Sequence, residues 1–143
     1  MMRLCECYYD LVNVTSKKWI CIGASMGGVS VLLGAASSHW LQGIILSDHL
    51  DTFDTAVRFH MIHSIALILT AIIKDNTRNS SFLHASIWGF LSGMFFFSGS
   101  LYLISVSGYG FLGIIAPIGG VAFIAAWGLL AVGVLKVKKV SEH

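Results

Sequence analysis

Residues 53–73 read FDTAVRFHMIHSIALILTAII. From Thr55 to Ile73 the run is long and apolar enough to cross the hydrocarbon of a bilayer, which takes about 20 residues as a helix. Its first half nevertheless carries Asp54, Arg58, His60 and His63. Either these four form a candidate functional polar cluster, or they mark a helix end at the lipid headgroups followed by polar packing inside a bundle.

At about 100° per residue, Arg58 shares a face with Asp51, Asp54, Ile62, Ile65, Leu69 and Ile72. That face is otherwise aliphatic and suits lipid. Arg58 lies about a turn inside the helix with Asp54 at i−4, so snorkelling with a local ion pair explains it. His60 and His63 fall instead on a small, polar stripe with Ala56, Ser64, Leu67, Thr70 and Ala71, the side expected to meet other helices.

Three further segments qualify as spans: Trp19 to Ser37, Phe82 to Val106 and Leu112 to Val134. Charged residues make up 11% of the 143-residue chain, less than half the roughly 25% of soluble domains. The reading is an all-α membrane protein, a four-transmembrane-helix bundle with a short amphipathic leg leading into the second span. Residues 1–18 form an N-terminal segment, 19–135 the four-helix domain and 136–143 a basic tail. Ser47 is placed to cap the leg, with Asp48 in its first turn. Pro117 falls early in the fourth span, where a missing N–H costs least, and Gly108 and Gly110 mark the turn before it.

Of nine Lys and Arg residues, only Arg58 falls on the side of the 38–54 connection. Arg3, Lys17, Lys18, Lys74, Arg78, Lys136, Lys138 and Lys139 all fall on the other. The positive-inside rule then places both termini in the cytoplasm, with the bacterial inner membrane as the default; an organelle membrane would show the same pattern. The sequons at Asn13 and Asn79 are read as chance matches on the unglycosylated side. Cys5, Cys7 and Cys21 give neither a disulfide framework nor a zinc spacing; Cys5 and Cys7 are read as free thiols and Cys21 as a small packing residue in an apolar run. The first 18 residues lack the continuous apolar core of a signal peptide, so the first span is expected to stay as an anchor.

Small residues recur at helical spacing: Gly23, Gly27, Ser30, Gly34 and Ser37 in the first span, and Gly89, Ser92, Gly93, Phe96, Ser100, Leu103 and Ser107 in the third. A looser series in the fourth comprises Ala116, Gly119, Phe123, Ala126 and Leu130. Such stripes let membrane helices approach closely. Helix packing is therefore assigned to Gly23, Gly27, Gly34, Gly89, Gly93 and Gly119. If they serve a partner, Gly89→Leu and Gly93→Leu should abolish co-purification without unfolding.

FDTAVRFHMIHSIAL, FFSGSLYLISVSG and APIGGVAFIAAW together resemble the small four-helix membrane family called transmembrane protein 256 in animals and YgdD-like in bacteria. The likeness covers nearly all of residues 19–135. It implies the fold and a membrane location and brings no established activity. The family's Gly-Ala-His-Gly turn is altered here, with Ser38 and His39 at its centre and Trp40 following, and Ala126 stands where the family tends to have glycine.

Other chemistries fit less well. His39, His49, His60 and His63 with Asp48, Asp51 and Asp54 could offer ligands to an outer-side metal. Haem would need axial ligands from opposite sides, and His84 lies toward the inner end with Trp88. A proton or solute path could begin at His60, His63, Ser64 and Thr70 but finds no buried acid or base in the third and fourth spans. No nucleophile elbow, HExxH or phosphate loop is present, so no enzyme is expected. No cofactor is expected, and the basic residues make no nucleic-acid footprint. The expectation is a structural or accessory membrane protein acting through helix packing, its partners the bilayer and a second copy or another membrane protein. The alternative is transport or metal binding at His60 and His63.

Overall fold

Apolar helices buried in lipid must satisfy their backbone internally, and a computed structural model of the chain shows how this sequence does so. It describes residues 14–75, 77 and 81–136. The readings made for Arg3, Cys5, Cys7, Asn13, Arg78, Asn79, Lys138 and Lys139 fall outside them.

Among the described residues, four helices are long and apolar enough to span a membrane. The first, α1, covers Val14–Ala36 and runs into a π-helical turn at Ser37–Leu41. The second, α2, covers Ser47–Asp75, and the third, α3, Ser81–Ser107. After a 3₁₀ turn at Gly110–Ile114, α4 covers Ala116–Leu135 with Pro117 in its first turn. Gly108 ends α3 in the left-handed conformation, φ 73°, its N–H bonded to the Ile104 carbonyl, a helix stop that glycine adopts without a Cβ penalty.

The 29 residues of α2 extend about 43 Å at 1.5 Å per residue, against about 30 Å of hydrocarbon. The excess is the leg carrying Asp48 and Asp51, both exposed. Ser47 does not cap it. Its hydroxyl donates to Asp48 Oδ1 at 3.4 Å, while the Leu46 carbonyl accepts the first helical N–H groups, from His49 and Leu50. Leu46 thus takes the cap position, because the chain enters the helix one residue earlier than a serine cap would set it.

The bundle is built of two tight pairs, α1 on α2 and α3 on α4, joined through α2 and α3. Trp19, Leu67, Ile87, Phe90, Met94 and Phe123 lie in the core that all four helices contribute to. On α2 the outward face is Ile62, Ile65, Leu69 and Ile72, each exposed.

The regular stripe expected along α3 is interrupted after Gly93. A π-helical turn at Met94–Ser98 interrupts the helix. Such a turn inserts a residue and rotates everything after it relative to what came before. Hence Phe96, Leu103 and Ser107 are exposed and Ser98 and Ser105 are buried in their place, while Ser100 of the expected stripe is buried.

Candidate functional site

The four residues singled out on α2 do not form one cluster. Asp54 is half-buried and accepts a hydrogen bond from the Ser37 hydroxyl of the π-turn after α1. Arg58 is exposed and forms no ion pair with Asp54. The expected i−4 pair is lost because Asp54 sits at the edge of the aliphatic face, where it can turn toward α1. Removing the Ser37 hydroxyl (Ser37→Ala) should cost about 1 kcal/mol in detergent unfolding, the usual net value of such a bond. Arg58→Gln should change stability by less than about 0.5 kcal/mol, as exposed substitutions do.

His60 and His63 are both buried and point in different directions. His63 Nδ1 lies 2.7 Å from the Phe59 carbonyl, which can only accept, so Nδ1 carries the proton. Its Nε2 then accepts from the Trp127 indole N–H at 3.3 Å. The ring stacks on Phe123 of α4 at 3.5 Å between centroids and 12° between planes. His63 is thus a fully engaged tie between α2 and α4. His60 turns toward α3, its Nδ1 3.3 Å from the Tyr102 hydroxyl, and its Nε2 has no partner among the described residues.

Ser64, Thr70 and Ser105, which could have continued a polar path, are spent on their own helices, whereas the buried Ser98 hydroxyl has no partner among the described residues. Ser64 bonds the His60 carbonyl and Thr70 the Ala66 carbonyl, each at 2.7 Å, and Ser105 bonds the Leu101 carbonyl at 2.8 Å. This back-bonding is how serine and threonine are accommodated inside a helix without an external partner. Ser86 is different: it crosses to the Ala126 carbonyl at 2.8 Å, where Gly89 brings α3 and α4 together. Of the remaining histidines, His39 is exposed, and His84 accepts from the Trp88 N–H at 3.2 Å. Among the described residues no three His, Cys, Asp or Glu side chains converge as a metal set.

The assigned glycines divide by what a Cβ would meet. At Gly23 it would lie 2.6 Å from Ile68, at Gly89 2.8 Å from Ala126, at Gly93 2.4 Å from the Phe123 ring and at Gly119 2.3 Å from the Phe97 backbone nitrogen. Gly34 is looser, with Val57 at 3.3 Å, and Gly27 looser again, with Ser64 at 3.8 Å. Gly133, absent from the sequence-derived set, also meets α3, at Leu83. It escaped notice because the expected α4 series stopped at Leu130. Gly89 and Gly93 therefore hold the bundle itself together, and enlarging either to leucine would disrupt α3 against α4 before reporting on any partner.

Residues 33–120 match the family described as protein of unknown function (DUF423). The chain belongs to the DUF423 family. Among its relatives, the UPF0382 membrane protein YwdK of Bacillus subtilis is 37% identical over 120 residues, covering 84% of this chain and 98% of that protein. A UPF0382 membrane protein of Haemophilus influenzae is 34% identical over 121 residues, 85% of this chain and 96% of the relative. The UPF0382 inner membrane protein YgdD of Escherichia coli is 29% identical over 126 residues, 88% and 95% of the two chains. The YgdD-like resemblance and the four-helix membrane fold agree with this membership, and the chain is a multi-pass integral membrane protein. No solved structure matches it at a significant level. Trp127 and Tyr102, which hold the two histidines in this DUF423 chain, were not singled out from sequence. An indole N–H or phenol within a membrane span seeks a partner, and that need is the signal that could have found them.

Proposed function

We propose that this chain is a structural or accessory membrane protein without enzymatic activity, acting through helix packing and self-association. The observation that carries the reading is that His63 spends both ring nitrogens within the bundle and stacks a ring face on Phe123. A relay or ligand site needs a group that can exchange its partner, and this one is a fastening between helices. What remains available to other molecules is the outward surface. There Gly28 on α1 and Gly128 on α4 have open space beside them, and small residues facing lipid permit close approach of another helix.

The reading includes the inner membrane, supported by the E. coli relative's name as an inner membrane protein, and cytoplasmic termini, supported by the Lys and Arg distribution. A C-terminal reporter that fluoresces only in the cytoplasm should be bright, and a dark one would reverse the topology. For association, native mass spectrometry in mild detergent should find a homo-oligomer that Gly28→Leu with Gly128→Leu converts to monomer at unchanged unfolding midpoint. A wild-type monomer would end the association reading.

A further inference from the structure

The two connections at the end of the bundle away from the termini are built of residues that a water-facing loop does not favour. Residues 38–47 and 107–120 contain no Asp, Glu, Lys or Arg. Trp40, Ile44 and Leu46 on the first connection and Tyr109, Phe111 and Ile114 on the second are 64–77% exposed. That exceeds the 44–54% of Ile62, Ile65, Leu69 and Ile72 on the lipid face of α2. Large apolar side chains standing this far out of the fold mark a surface that something other than water covers.

The leg of α2 ties the two connections together. The Phe53 ring lies 4.9 Å from that of Tyr102, and His49 reaches the turn after α3, its Cε1 3.6 Å from where a Cβ on Gly108 would stand. Each connection also closes on its own backbone. The Leu41 carbonyl accepts from the Ile44 and Ile45 N–H groups around Gly43, φ 81°, and the Tyr109 and Leu112 carbonyls accept from Leu112 and Ile115. Non-helical backbone close to hydrocarbon needs such internal partners, because lipid offers none.

We propose that these six side chains form one surface seated in the headgroup zone of the adjacent leaflet and reaching its acyl boundary, so that lipid covers this end of the bundle. Depth is the first argument. The 29 residues of α2, about 43 Å, match the 40–45 Å of a bilayer with its headgroup zones, and any tilt brings the leg deeper. Continuity is the second. Trp40 and His39 line a recess of about 600 Å³ with Leu32, Ala35 and Ala36 of α1, and Leu32 is itself exposed on the span. Ile114 is followed at helical spacing by Ile118 and Val121, exposed on α4. The surface therefore runs into the lipid-facing sides of two spans, whereas a patch for a soluble partner is an island rimmed by polar residues. Chemistry is the third, since the amphipathic rings of Trp and Tyr settle at headgroup level. The inference rests on the membrane location of the chain and requires no self-association.

The test is the depth of nitroxide labels on Ile44→Cys and Phe111→Cys, each in the full chain with Cys5→Ser, Cys7→Ser and Cys21→Ser, in phosphatidylethanolamine–phosphatidylglycerol vesicles. Power saturation compares relaxation by oxygen, which concentrates in hydrocarbon, with relaxation by a nickel chelate, which stays in water. The oxygen-to-nickel ratio at both positions should be several-fold above that of a headgroup-labelled lipid and below that of a label on Ile65→Cys in the span. Trp40 is read without a label. The part of the emission lost in Trp40→Phe should be quenched several-fold more by bromine near the top of the acyl chains than by bromine at their ends. A ratio at or below that of the headgroup label would place the surface in water and overturn the proposal. So would low access to both reagents, which means cover by protein, or Trp40 emission untouched by bromine at either depth.

Discussion

Gly119→Ala is expected to lower the unfolding free energy by about 3 kcal/mol, while Gly128→Ala, nine residues further along the same helix, should change it by less than about 0.5 kcal/mol. The contrast rests on what each new methyl group meets. At Gly119 a Cβ would sit 2.3 Å from the Phe97 nitrogen, 2.7 Å from its Cβ and 2.8 Å from its Cα. Those are backbone and near-backbone atoms, and they cannot rotate aside as a side-chain tip can. Relief requires α4 to move away from the π-turn of α3, which would part Phe123 from Gly93 and Ala126 from Gly89 at the same time. At Gly128 nothing lies within 4 Å. Gly133 should fall between, because its nearest neighbours are Leu83 side-chain atoms, with the Leu83 backbone nitrogen further off at 3.4 Å. Denaturation by SDS in mixed micelles reads all three. Equal losses at Gly119 and Gly128 would mean that α4 is not seated on α3 as described.

The same positions show what the sequence discloses and what it withholds. Spans, their order and the lipid-facing side of α2 follow from hydropathy and a 3.6-residue period, because each depends on sums over many residues. The glycine contacts of α1 on α2 were also accessible, since that interface uses unbroken α-helical register from Gly23 to Gly34. Along α3 the register fails at Met94–Ser98. Nothing in the run MFFFS announces a π-turn, whose Phe97 packs against Gly119 across the interface. Partner identity was withheld for a related reason. Asp54 had two hydroxyl or cationic neighbours within reach, and only the placement of α1 decides for Ser37 over Arg58. A histidine pair three residues apart looks like one site on a helical wheel. In three dimensions one ring belongs to the α4 interface and the other to a groove beside α3.

That separation gives the second large effect. His63→Ala should destabilise the bundle by about 3 kcal/mol, combining a cavity under Phe123 with an indole N–H left without its acceptor in hydrocarbon. Trp127→Phe, which removes the donor and leaves an aromatic ring in place, should cost about 1 kcal/mol. The double variant should cost less than the sum by about 1 kcal/mol, the coupling carried by the hydrogen bond, which in membrane proteins averages below that of a bond in an apolar solvent. A metal or a proton arriving at Nε2 would have to displace the Trp127 N–H from a ring stacked on Phe123. For a working site, evolution of an exchangeable nitrogen would leave His63→Ala stable and inactive. For a fastening, the variant loses stability first, and any loss of association follows from it. Additive single effects in the cycle would remove the His63–Trp127 bond from the account and leave the stacking on Phe123 as the whole contribution of this histidine.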